Sequence, residues 1–347
     1  MLLKRLLHII AYYRSALQCR YTCMVATPYA LALYLIYMPD DALEKTYFCV
    51  YDQIKGDIQA NLPHVEDFTR IQNAGKKVMW KFRLEAIFKY WFIRRTDIYA
   101  MDFLDYAPQL IGHHSYTCIE DGTGSYTFAN DSDVLTPFEL PKTWWGFKQR
   151  IKYGPVYGRL MGSNKYCINR LVTSAGDVNA KVLQGRQYTL LNWQEMWNNA
   201  SEHKKSVFKY VFGFDNTILV KLQDCDTLIL TQPIKCKTIS EQEAMDIYAP
   251  YVEQYKQSGV VIKPHPREFA DTDYTKYFPQ TYVLNTKLPM QILSAMGVHF
   301  KRAITIFSTA VSNLPEDTEI IWLGTEINEE LYKEVGPVRL EDVIGKI

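Results

Sequence analysis

Three short segments carry side chains able to do chemistry. The first is Glu120-Asp121-Gly122-Thr123-Gly124. A carboxylate here can act as a general base toward a hydroxyl. Gly122 and Gly124 let the backbone turn sharply and approach a ligand closely. The same string also reads as an acidic turn or a helix cap. The second segment is Lys263-Pro264-His265-Pro266-Arg267-Glu268. Lys263 and His265 each precede a proline, which biases both to extended backbone, and the prolines fix their own φ. Lys263, His265 and Arg267 suit a phosphate leaving group, with His265 as proton or hydrogen-bond donor. The third is Ser308-Thr309, ahead of a helix-prone run over 310–313. Hydroxyls at a helix N-terminus can hold a phosphate, cap the helix, or both.

Other motifs are set aside. The acidic segment lacks the third glycine of a dinucleotide fingerprint, and no Gly-Lys-Ser/Thr follows as in a Walker loop. Asp131-Ser132-Asp133, Asp224-Cys225-Asp226 and Asp271-Thr272-Asp273 have the spacing of a metal-binding tripeptide but read as solvated turns. His113-His114 has no carboxylate or cysteine at ligand spacing.

The elements that must position these segments alternate between strand and helix. Strands are expected over 21–26, 46–51, 97–101 and 116–119, with helices over 29–37, 81–91 and 107–111. Residues 141–214 read as helices and long loops bridging two domains. A second series follows: strands over 227–230, 260–262, 282–284, 303–307 and 320–323, and helices over 240–257 and 290–296. Such alternation predicts an α/β fold of two Rossmann-like domains facing a central cleft, with ligands beyond the carboxyl ends of parallel strands. The loops after Ile119, Leu230, Ile262 and Phe307 are therefore the ones to examine. The expected division is a helix over 1–20, an N-terminal domain over 21–220 and a C-terminal domain over 221–347.

Composition agrees with a folded protein of this kind. A chain of 347 residues exceeds the size at which one core stops growing. A net charge of +1 argues against a nucleic-acid binder. The 7 cysteines are scattered and read as reduced thiols of a cytoplasmic protein. No run reaches the roughly 18 apolar residues of a membrane span. Residues 1–20 alternate apolar and basic side chains at helical spacing. They read either as an interfacial helix on an anionic membrane or as a helix packed on the domain's own core.

The three segments, in this order, resemble the motifs of bacterial sialyltransferases of glycosyltransferase families 38, 52 and 80: D/E-D/E-G, then HP, then paired Ser/Ser or Ser/Thr. The strings EDGTG, KPHPRE and IFSTA are most similar to family 52, the lipooligosaccharide sialyltransferase group, and the resemblance spans about 21–323. It implies a GT-B fold, a CMP-sialic acid donor, inversion at the anomeric carbon and no metal or other cofactor. Glu120 or Asp121 would supply the base, with Glu120 favoured and Asp121 bracing the loop. His265 would serve the CMP phosphate as acid or electrostatic stabiliser. Lys263, Pro264, Pro266, Arg267, Ser308, Thr309 and Gln232 would complete the donor site, and Thr27, Gly122 and Gly124 the acceptor side. The loop 231–240 has no acidic residue before Glu241 and Glu243, which argues against a base there. Expected partners are the nucleotide-sugar donor and a glycan or glycolipid acceptor. On the interfacial reading of residues 1–20, the anionic inner face of the cytoplasmic membrane is another; a homodimer is compatible. Another nucleotide-sugar donor, or a catalytically silent protein that binds a nucleotide or glycan, are the alternatives.

Overall fold

The computed structural model describes residues 15, 17–51, 53–69, 89–104, 106–121, 138–139, 141–153, 156–157, 162–173, 185–232, 239–265, 268 and 272–341. The chain divides into two compact units, Met1–Val211 and Phe212–Ile347.

The first unit is built on a parallel seven-stranded sheet. Its strands are β1 (Tyr21–Val25), β2 (Thr46–Val50), β3 (His64–Asp67), β4 (Asp97–Ala100), β5 (Tyr116–Ile119), β8 (Cys167–Val172) and β9 (Thr189–Leu190); β6 (Phe138–Glu139) and β7 (Val156–Tyr157) form a separate antiparallel pair. The order is β3-β2-β1-β4-β5-β8-β9. Every residue of β1 and β2 is buried, as expected of parallel strands covered on both faces. Helix α1 (Pro28–Tyr37) follows β1; Thr27 caps it and Pro28 occupies its first turn, where a missing N–H does no harm. Nearly all of its side chains are buried, and the Tyr34 hydroxyl lies 2.6 Å from Thr46 Oγ1 on β2. Helix α2 (Ala107–Ile111) links β4 to β5. Helices α3 (Trp144–Tyr153), α4 (Trp193–Asn199) and α5 (Glu202–Phe212) come later.

Five of these strands, β3, β6, β7, β8 and β9, were not in the sequence reading. The stretch 141–214 is not only helices and loops, because β8 lies inside the sheet, paired with β5 across a register shift at Tyr116/Thr117. Strand β3 is a half-buried edge strand ending in Glu66-Asp67, where Glu66 pairs with Lys89 and is largely covered. Of the expected helix over 81–91, residues 89–93 are described and helical. Residues 1–14 of the expected N-terminal helix lie outside the described residues; Ser15, Leu17 and Gln18 are helical. No helix among the described residues is long and apolar enough to cross a membrane.

The second unit has a parallel five-stranded sheet of order β12-β11-β10-β13-β14: β10 (Thr227–Leu230), β11 (Val260–Lys263), β12 (Tyr282–Val283), β13 (Arg302–Thr305) and β14 (Glu319–Trp322). Around it lie α6 (Asn216–Gln223), α7 (Glu241–Tyr255), α8 (Met290–Ala295) and α9 (Glu329–Val335). Ile229, Ile262 and Ile304 of three neighbouring strands pack with Met245, Tyr248 and Val252 of α7 in one core. A capping box between Ser240 and Glu243 starts α7. Strand β13 stops at Thr305 rather than at Phe307. The Thr305 hydroxyl donates to Leu230 O (2.9 Å) and accepts from Ser308 N (3.0 Å), which curls the chain off the sheet.

In both sheets the strand order reverses beside the first strand of the unit, between β1 and β4 and between β10 and β13. Ligands of open parallel sheets bind beyond the carboxyl ends at such points. Thr27 follows β1, Glu120-Asp121 follows β5, Thr231-Gln232 follows β10, Pro264-His265 follows β11 and Ser308 follows β13.

Candidate active site

In the first unit, the end of β5 sends its two carboxylates to different places, as strand alternation requires. Glu120 is only 2% exposed. Its Oε1 accepts from the Tyr29 hydroxyl (2.7 Å), the Thr173 amide (2.9 Å) and the Thr173 hydroxyl (2.5 Å). Burial and the neighbouring Glu120 push the Tyr29 phenol well above its ordinary pKa, so it stays a proton donor. The Tyr29 ring in turn meets Trp193 edge-on at 5.6 Å. Glu120 thus ties the end of β5 to the residue after β8 and to the first turn of α1.

Asp121 is the more open of the two. Its Oδ1 accepts a 2.6 Å hydrogen bond from Thr27 Oγ1, which itself accepts from Ala30 N at the start of α1 (3.3 Å). Burial raises the Asp121 pKa to about 6, and the Thr27 bond holds it from rising further. Glu120 thus carries bracing hydrogen bonds of the kind expected of Asp121, and Asp121 keeps the more open position. The two neighbours meet different donors, Tyr29 and Thr173 for Glu120 and Thr27 for Asp121, and Glu120 is the more deeply buried. Gly122 and Gly124 lie outside the described residues.

In the second unit a buried carboxylate that the sequence reading passed over organises the loop ends. Glu268, 6% exposed, accepts from the Thr231 hydroxyl, from His265 N (3.1 Å) and from the Tyr274 hydroxyl (3.4 Å). Its own amide closes a turn onto His265 O (2.8 Å), and His265 N also reaches Thr231 Oγ1 (3.1 Å). The residues after β10 and β11 are thereby joined, and the His265 backbone is fixed while its ring stays half-buried. The one available signal for Glu268 was its spacing, three residues past His265 in a proline-rich turn.

Lys263 ends β11 and is buried, with its Nζ 3.5 Å from Thr286 O. Burial lowers its pKa to about 8. Ser308 is buried, and its Oγ accepts from Ala310 N (3.3 Å), capping a short 3-10 turn, Thr309–Asn313. Ser308 therefore caps as expected, and its hydroxyl proton remains available to donate. Thr309 is exposed beside it, and Gln232 is buried after β10. Pro264 is buried, while Pro266 and Arg267 lie outside the described residues.

Two of the carboxylates set aside in the sequence have local roles. Asp226 pairs with Lys301 at 2.7 Å, and Asp273 caps Tyr274–Tyr277. Asp131, Asp133 and Asp271 lie outside the described residues. His113 and His114 stand against Tyr166 and Tyr90. Among the described residues, no three His, Cys, Asp or Glu side chains gather as metal ligands.

Two parallel α/β units of this order, each with polar strand-end loops, make up a GT-B fold. The chain belongs to glycosyltransferase family 52, whose model matches residues 32–326. It is 24% identical over 329 residues to an uncharacterised protein of Haemophilus influenzae, covering 93% of this chain and all of that relative. Its fold is similar to a sialyltransferase from Photobacterium damsela (TM-score 0.60, 12% identity, 94% of this chain and 79% of that one). The GT-B domain of the Photobacterium damselae sialyltransferase gives a TM-score of 0.55 at 13% identity, over 86% of this chain and 89% of that one. An α/β-galactoside α-2,3-sialyltransferase from Photobacterium phosphoreum gives 0.51 at 13% identity, over 86% and 88%.

Proposed function

We propose that this glycosyltransferase moves sialic acid from CMP-sialic acid to a terminal sugar of a bacterial surface glycan, such as lipooligosaccharide, capsule or O-antigen, with inversion and without a metal. Asp121 is the general base. It takes the proton of the acceptor hydroxyl as that oxygen bonds to the anomeric carbon, and the electron pair of the breaking C–O bond leaves on the CMP phosphate. Lys263, His265, Ser308 and Thr309 stabilise the charge gathering on that phosphate, with His265 as acid or hydrogen-bond donor. The reaction takes place in the cytoplasm, at the inner face of the membrane where glycolipid acceptors are built.

The observation that carries this reading is the Asp121 carboxylate, oriented by Thr27 and raised to about 6. A base with a pKa near the working pH is ionised and still draws a proton effectively. The experiment compares Asp121→Asn with Glu120→Gln, in excess EDTA, for CMP affinity and transfer rate. Asp121→Asn should abolish transfer and leave CMP affinity near normal, because the base acts on the acceptor. Glu120→Gln should lower thermal stability as much as turnover. Retained transfer by Asp121→Asn excludes this base, and activity lost in EDTA but restored by manganese excludes the metal-free reaction.

A further inference from the structure

An aromatic and basic surface stands on helix α3 and includes none of the residues assigned to the site above. Its first turn reads Trp144-Trp145-Gly146-Phe147-Lys148, preceded by Pro141-Lys142-Thr143. Trp144, Trp145 and Phe147 are 70%, 56% and 52% exposed. Soluble surfaces rarely gather large apolar side chains in this way without a partner.

The turn is held firmly. Thr143 Oγ1 caps it by accepting from Gly146 N (3.1 Å), and Phe147 N donates to Thr143 O (2.8 Å). A Cβ on Gly146 would sit 1.8 Å from Pro141 O, so only glycine allows the preceding chain to lie this close. On this base Trp144 stacks on Phe147 with ring centroids 5.6 Å apart, and Lys148 Nζ lies 5.3 Å from the Trp144 ring centre. Exposed Lys142 stands two residues before the first tryptophan.

Charge identifies the partner. From Pro141 to Tyr153 the chain has Lys142, Lys148, Arg150 and Lys152 and no carboxylate. Tryptophan beside lysine is the composition that settles at a membrane–water boundary, with the ring among the headgroups and the ammonium on lipid phosphate. A neutral glycan would gain nothing from the cations. A third exposed tryptophan, Trp91, also carries a cation, Arg94, at 4.2 Å. Residues 89–93 and α3 both flank helix α2: Tyr90 lies against Gly112 at its end, and α3 packs along it.

We infer that the first turn of α3 is a docking surface for an anionic lipid bilayer, with Trp144, Trp145 and Phe147 as the inserted side chains and Lys142 and Lys148 on the headgroups. This rests on the membrane-surface part of the reading above and is independent of the sugar transferred. The test is sedimentation of the full chain with vesicles of phosphatidylglycerol and phosphatidylcholine, or of phosphatidylcholine alone. Wild type should bind the mixed vesicles in a salt-sensitive way. Trp144→Ala, Trp145→Ala and Phe147→Ala combined should weaken binding at least about tenfold, with CMP affinity unchanged. Lys142→Gln and Lys148→Gln should each weaken it about fivefold, and they decide the matter if the aromatic variant does not fold. The inference is overturned if wild type does not bind, or if the variants bind as wild type does. It is equally overturned if the aromatic variant leaves vesicle binding intact while losing self-association, or while raising KM for a water-soluble acceptor. None of these results bears on the base, which is read with that soluble acceptor.

Discussion

Removing the Thr27 hydroxyl should move the pH dependence of transfer without touching the donor. Thr27 Oγ1 spends a lone pair on Ala30 N, which leaves its proton for Asp121 Oδ1 at 2.6 Å. That bond favours the ionised carboxylate and opposes the burial that raises Asp121 to about 6. A hydrogen bond to a charged group contributes about 1.5–3 kcal/mol. Because Asp121 is partly open to water, the lower end applies, or about one pKa unit. Thr27→Val keeps the shape and loses the hydroxyl, so the acid limb of kcat/KM should move from about 6 to about 7. At pH 6 the ionised fraction falls from about a half to about a tenth, so the rate drops roughly fivefold; at pH 8 it hardly changes. Thr27→Ser should restore the limb. The assay is a pH profile with a water-soluble acceptor, with CMP affinity as control. Thr27 is also an N-cap, and its loss costs about 1 kcal/mol of stability. A uniform drop at every pH, with the limb unmoved, would show a cap and nothing more.

His265→Ala should lower turnover about a hundredfold, the usual scale for one acid or charge-stabilising donor. Folding should hold in that variant, because the Thr231 and Glu268 bonds to His265 run through its backbone amide; wild-type turnover would exclude the phosphate role. Asp102 is fully buried, takes hydrogen bonds from the Tyr116 hydroxyl and Gly162 N, and has its pKa raised by burial to about 6. A folded pKa above the unfolded one means stability is full below about pH 4 and is lost as pH rises through about 6. Asp102→Asn should therefore gain on wild type by about 1–3 kcal/mol between pH 4 and pH 8 in denaturant melts, and a pH-independent difference would refute this.

Strands made of one apolar run between turn signals were legible in the sequence. Tyr116–Ile119 and Thr227–Leu230 fall where the reading put them, and so does the short helix Ala107–Ile111. Strand β8 was not, because Asn169-Arg170 interrupts its apolar pattern; yet Arg170 is 2% exposed within the sheet. Strand β3 was not, because Glu66 looks like a loop residue until Tyr47 and Lys89 are found bound to it. The site divides in the same way. The strand-end positions of Asp121, His265 and Ser308 were legible because each follows a recognisable strand. The inward turn of Glu120 was not, because Tyr29 is 91 residues away and Thr173 is 53. Pairwise hydrogen bonds over such separations leave no periodic trace.

The same device recurs in both units, and on the proposed mechanism it accounts for two carboxylates in the acidic motif. Glu120 binds the start of α1 and the residue after β8; Glu268 binds the residues after β10 and β11. Each is buried and takes several hydroxyl and amide donors, so its desolvation is offset by hydrogen bonds of fixed direction. Each also lies close in sequence to a group that the proposed mechanism uses: Asp121 beside Glu120, His265 three residues before Glu268. A lone strand-end carboxylate would have to choose between holding the loop and meeting the acceptor. With Glu120 occupied as the brace, Asp121 keeps the Thr27 hydroxyl as a donor, and on the proposed mechanism its pKa, raised to about 6, leaves it basic enough to take a proton.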